Sequence, residues 1–172
     1  MALPQSQAAT SPPDEQLDRR LQLAVHAARL AGQQTLRWFC QDHLRVERKG
    51  DGTPVTAADR GAEELLRTLI SQEFPEDAIL GEEFGEQAGS SPYRWVLDPI
   101  DGTKAFITGV PLYTTLVGVL QDEQPRLGVI HSPATGELIY ASPGQGVGTH
   151  VVNRHLAGCT CRASVIFRRR LF

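Results

Sequence analysis

The stretch Trp95-Val96-Leu97-Asp98-Pro99-Ile100-Asp101-Gly102-Thr103-Lys104-Ala105-Phe106 restricts this chain more than any other. Trp95 to Leu97 is an apolar run that reads as a short buried strand, and Pro99, with no N–H for a ladder, predicts where it stops. Two carboxylates, Asp98 and Asp101, are thereby placed at a C-terminal strand end, where hard cations find oxygen ligands. No breaker follows Gly102 before Gly109, so the N–H groups of Asp101, Gly102 and Thr103 are expected to stand unpaired and face an anion. Carboxylates for a divalent ion beside amide protons for a phosphate suit metal-assisted phosphoester hydrolysis. The same residue types are turn formers, so this stretch alone leaves a plain turn open.

Two acid-bearing segments upstream narrow the choice. Ala78-Ile79-Leu80 reads as a minimal strand that delivers Gly81-Glu82-Glu83, of which one glutamate is expected to face the site and the other to point away. Glu83 and Glu86 read as solvated charge. Gly50 to Pro54 is a loop by every turn criterion, and Thr56 with Asp59 has the spacing of a capping box, which by itself gives Asp59 a helix-capping role.

Together, G-E-E, D-P-I-D-G-T and V-T-x-A-D, in these positions, resemble the inositol-monophosphatase-like family of Mg²⁺-dependent, lithium-sensitive phosphatases, from about Leu17 to about Gly146. Their D-G-T-P-V-T-A-A-D and D-G-T-K-A-F-I-T-G versions are most similar to the histidinol-phosphate phosphatase branch. The resemblance implies hydrolysis of a small phosphate monoester, histidinol phosphate to histidinol in histidine biosynthesis. Inositol monophosphate or a 3′-phosphonucleotide are the alternative substrates. Lys104 fits more than one branch, and Val110 stands where the histidinol-phosphate branch often has a basic residue.

The resemblance also implies the site. One Mg²⁺ would be held by Glu82, Asp98 and the Ile100 carbonyl, and a second by Asp98 and Asp101. Glu82 with Thr103 would activate water, Asp59 would support an additional ion or its waters, and Asp101, Gly102 and Thr103 would bind the phosphate.

The rest of the chain fits an α+β domain, the N-terminal portion of the layered α/β sugar-phosphatase fold of that family. Residues 1–13 are Ala, Ser, Gln and Pro without periodicity and read as disordered. Leu17, Leu21, Ala24, Val25, Ala28, Ala31 and Leu36 keep helical spacing from Asp14 to about Cys40. A second helix runs from Thr56 to about Glu73 with Ala62, Leu65, Leu66, Leu69 and Ile70 inward. Strand-like runs follow at Leu112–Leu120, Arg126–His131 and Glu137–Ala141, an antiparallel meander. Trp38 and Phe39 read as packing residues, His26 and His43 as surface ones, and His131 as structural.

The 172 residues carry a net charge of −3, which argues against nucleic acid as the main partner. Three cysteines make no disulfide framework, no apolar run is long enough to span a membrane, and no secretory signal is visible, so the expected setting is the cytoplasm. All 20 acids fall at or before Glu137, whereas Arg154, Arg162, Arg168, Arg169 and Arg170 follow it. The resemblance implies an incomplete metal-binding phosphatase domain over 14–146, and the change in composition predicts an atypical basic tail over 147–172, unrelated to the family, as a shifted frame or premature end would give. The family's W-D-x-A-A-like element, whose aspartate completes the second metal site, is not found here. Two readings therefore stand: a phosphatase, and a non-catalytic fragment whose uncovered apolar surface invites a homodimer.

Overall fold

The computed structural model describes residues 15–41, 44–50, 52–143 and 146–151. Helix α1 (Glu15–Thr35) buries Leu17, Leu21, Ala24, Ala28 and Ala31 along one stripe, with Glu15 and Asp18 in its first turn where the macrodipole favours acids. It ends five residues before the expected Cys40. Thr35 turns its hydroxyl inward, donating to the Gly32 carbonyl at 2.7 Å and meeting the Tyr113 hydroxyl at 3.2 Å. Turns follow up to Cys40, whose positive φ of 60° takes the chain out of helical geometry. Leu36, read as part of the helix stripe, instead packs with Phe39, Phe106 and Tyr113 in a second, smaller core.

A two-stranded hairpin, β1 (Val46–Arg48) with β2 (Pro54–Thr56), leads into helix α2 (Ala57–Glu73). Thr56 caps α2 as expected: its N–H and Oγ1 donate to Asp59 Oδ2 at 2.8 and 2.6 Å, and Oγ1 accepts from the Ala58 N–H at 3.1 Å. The larger sheet contains β3 (Ala78–Gly81), β4 (Gly85–Gln87), β5 (Tyr93–Asp101), β6 (Thr114–Gln121), β7 (Gln124–Ser132), β8 (Glu137–Ser142) and β9 (Gly146–Val151). Their order is β4-β3-β5-β6-β7-β8-β9, with β3 and β5 parallel and every other pair antiparallel. A five-residue helix, α3 (Thr103–Ile107), lies between β5 and β6.

Strand alternation decides which side of this sheet is dry. Ile79, Trp95, Val119 and Leu127 form one cross-strand row, and Leu97, Val117 and Val129 the next; all are buried under α1 and α2. The opposite face carries the intervening row Leu80, Val96, Gly118, Gly128, Ala141 and Val147, with Ile130 opposite Ile139 beside it. Leu80, Val96, Ile130, Ile139 and Val147 are exposed there.

The polar residue Asp77 ties α1 to the sheet. Its carboxylate accepts from Arg20 Nε and Nη2 at 2.8 Å each, from Trp95 Nε1 at 2.8 Å and from Ser91 Oγ at 2.6 Å. The Arg20 guanidinium lies over the rings of Phe74 and Tyr93, 4.1 and 3.7 Å from their centres. His131 is structural, its buried Nδ1 3.0 Å from the Ala28 carbonyl.

One expected strand end shifts. Strand β5 does not stop at Pro99 but continues to Asp101, because the ladder skips from Asp98 to Asp101 and needs no donor at Pro99. The proline carbonyl still accepts, from Thr115 Oγ1 at 2.9 Å. The division at 146/147 falls at the start of β9, which pairs with β8 from Ser142↔Gly146 to Glu137↔Val151, so the sheet crosses it. The expected disordered segment 1–13, His43 and the tail beyond residue 151 lie outside the described residues.

Candidate active site

Parallel pairing of β3 with β5 sets Gly81 beside Leu97, so the chain leaving β3 enters the space next to Asp98. The Glu82 N–H is held there by the Leu97 carbonyl at 3.2 Å. Glu82 comes within hydrogen-bonding reach of Asp98, whose carboxyl also feels the charge of Asp101. Burial, followed by these two carboxylates, pushes the Asp98 pKa from 3.8 to about 7, although the Ile100 N–H works against the rise. Asp98 Oδ1 is buried without a hydrogen-bond partner.

The neighbouring residues complete the corner. Gly102 has φ 90°, a left-handed conformation that glycine adopts without strain, and starts α3. Thr103 Oγ1 donates to the Ile100 carbonyl at 3.1 Å, and Asp101, exposed, is 3.4 Å from Thr114 Oγ1. Asp59 is buried at the head of α2. Desolvation raises its pKa against the hydrogen bonds from Thr56, and Glu82 adds a smaller push in the same direction. Asp59 is thus the helix cap expected of it, and it also feels the charge of Glu82.

Sequence reasoning missed two participants and misread a third. Lys49, at the end of β1, sets its Nζ 2.8 Å from Glu82 Oε1 and 2.7 Å from Glu83 Oε1. Burial works against this ammonium, yet the two carboxylates outweigh it and hold its pKa above the ordinary lysine range. Glu83 is not the solvated charge expected of it: its side chain is only 4% exposed. Burial raises its pKa, and the Lys49 contact lowers it in part. Nothing in the sequence marked Lys49. Glu63, fully buried on α2, carried a weak signal, being a charge four residues after Asp59 on the side that also bears Leu66 and Ile70.

A hard dication suits the chemistry of this corner: an orphaned buried carboxylate oxygen, and acids whose mutual repulsion a cation would relieve. The residues offering oxygen are Glu82, Asp98, Asp101 and the Ile100 carbonyl. Among the described residues, no group of three or more His, Cys, Asp or Glu side chains is placed so that it could hold a metal ion by itself. No helix among them is long and apolar enough to cross a membrane.

Comparison with known proteins agrees with this architecture. The inositol monophosphatase family profile matches residues 16–165, beyond the expected tail boundary at Gly146. The histidinol-phosphatase of Chlorobaculum parvum is 50% identical over 126 residues, covering 73% of this chain and 49% of that protein. An inositol-1-monophosphatase of Mesorhizobium japonicum is 38% identical, covering 73% of this chain and 48% of its own length. Among solved structures, an IMPase of Thermotoga maritima superposes with a TM-score of 0.71 at 30% identity, covering 77% of this chain and 51% of that one. The chain thus spans about half the length of the curated relatives it matches.

Proposed function

Because this chain belongs to the inositol monophosphatase family, we propose that it carries the metal-binding half of a phosphatase acting on a small phosphate monoester, histidinol phosphate first among the candidates. The observation that carries the reading is the Asp98 corner: a buried carboxylate oxygen without a partner, crowded by Glu82 and Asp101. The histidinol-phosphate preference is supported by the 50% identity to a protein named for that activity.

Mg²⁺ fits these oxygen donors and, when bound, would supply positive charge to the phosphoryl oxygens and acidify a water. Glu82, Asp98 and the Ile100 carbonyl would hold one ion, and Asp98 with Asp101 a second. Glu82, aided by the Thr103 hydroxyl, takes the proton of the attacking water. The water oxygen bonds to phosphorus as the ester P–O bond breaks, and the leaving alkoxide collects a proton from solvent. The N–H groups of Asp101, Gly102 and Thr103 orient the phosphate, and Asp59 acts from the head of α2 on the waters around the site.

A second reading, a non-catalytic chain, is favoured by the absence, among the described residues, of three or more His, Cys, Asp or Glu side chains placed to hold a metal ion. Phosphate release from histidinol phosphate, inositol 1-phosphate and a 3′-phosphonucleotide, measured with Mg²⁺ and with or without lithium, separates the two. The phosphatase reading expects lithium-sensitive release, fastest with histidinol phosphate and lost in Asp98→Asn. Release equal to that of Asp98→Asn on every substrate sinks it for this chain.

A further inference from the structure

The proposed hydrolysis does not use Glu63, yet its side chain is 0% exposed. Its oxygens are engaged by the turn after β3: Oε2 accepts from the Glu83 N–H at 2.7 Å and Oε1 from the Phe84 N–H at 3.2 Å. Arg67, one helical turn further on, supplies the countercharge through Nε at 2.8 Å and donates through Nη2 to the Gly85 carbonyl. Gly81 makes room for this arrangement, because a Cβ there would stand 1.9 Å from Glu63 Oε1.

The two peptide planes flanking Glu82 are therefore held from two sides. The plane before it is fixed by the Leu97 carbonyl of β5, at 3.2 Å from the Glu82 nitrogen, and the plane after it by Glu63 of α2. Hydrogen bonds from N–H groups to an ionised, buried carboxylate are short and directional, and leaving that carboxylate unpaired would be costly. Such an anchor fixes backbone direction more firmly than a solvent-exposed turn can.

We infer that Glu63 is a positioning residue for Glu82: its grip on the Glu83 and Phe84 amides aims the Glu82 carboxylate at Asp98. Gly81 is glycine so that this grip can form. The anchoring follows from contacts within the chain; only its consequence for an ion rests on the phosphatase reading.

The test uses the full chain, with Mn²⁺ as the metal probe, and two variants that disturb the anchor differently. Glu63→Gln keeps the volume but removes the charge and one acceptor, whereas Gly81→Ala keeps the charge and displaces it. Amide hydrogen exchange at Glu83 and Phe84 should quicken at least tenfold in both, with amides in the middle of β5 changing less. Mn²⁺ affinity, corrected for the folded fraction, should fall at least tenfold. Unchanged exchange at Glu83, or an unchanged affinity of the folded fraction, overturns the inference. A wild-type chain that binds no Mn²⁺ would instead sink the metal reading, and amide exchange alone would then decide whether Glu63 anchors the turn.

Discussion

Replacing Asp77 by Asn tests how α1 is fastened to the sheet. Asp77 and Arg20 have side chains 1% and 5% exposed, and the carboxylate accepts four hydrogen bonds, two of them from the guanidinium. Asn offers one acceptor oxygen and turns an NH₂ group toward donors. Arg20 then stays buried between Phe74 and Tyr93 without its counterion. Breaking such a pair by removing one partner costs about 3–5 kcal/mol, and the acceptor that Asn retains puts the expectation at the lower end, about 3 kcal/mol. Against a total stability of about 5–15 kcal/mol this is a large share.

Urea unfolding, followed by tryptophan fluorescence and far-UV circular dichroism, is the assay. With a slope of roughly 1–3 kcal/mol per molar urea, the midpoint should fall by about 1–3 M. The Trp95 emission should also change in the native baseline, because its indole N–H loses its acceptor. The double variant Arg20→Met with Asp77→Leu removes both charges and should recover most of the loss. A midpoint shift under about 0.3 M in Asp77→Asn, or a double variant no better than the single one, refutes the unpaired-charge argument.

Two further outcomes follow from the acidic corner. The folded, metal-free chain holds a proton on Asp98 up to about pH 7, whereas the unfolded chain releases it near 3.8, so this group lowers stability as pH rises through that window. The shift corresponds to roughly 4 kcal/mol at 1.36 per unit, which partial solvent access reduces to about 1–2 kcal/mol. Urea midpoints in EDTA should therefore be higher for Asp98→Asn than for wild type at pH 8 and equal near pH 4; no pH dependence in the difference counts against the crowding. Gly102→Ala forces a left-handed alanine at φ 90°, with its Cβ 3.1 Å from the Leu112 carbonyl. It should cost about 1–2 kcal/mol, read as a lower thermal midpoint, and an unchanged midpoint would show that the turn can relax.

Much of this architecture is local chemistry and could be read along the chain. The α1 stripe, the Thr56–Asp59 capping box and the β6–β7–β8 meander each depend on residue spacing within one element, which the alternation of apolar and polar residues records directly. The D-P-I-D-G-T segment likewise put Asp98 and Asp101 at the end of one strand, whereas G-E-E left two glutamates open and only the family resemblance chose Glu82. Where elements stop was less legible, because Thr35 ends α1 beside a tyrosine 78 residues away. Pro99, for its part, is tolerated in β5 only because of how β6 registers against it.

Three pairings required the tertiary structure: that of Lys49 with Glu82, that of Lys49 with the buried side chain of Glu83, and the grip of Glu63 on the turn after β3. Each is a pairing between groups 20 or more residues apart. A charged residue looks the same in sequence whether it faces water or a partner. Only the packing of α2 and the β1–β2 hairpin around the end of β3 buries the side chains of Glu63 and Glu83 and makes their partners obligatory.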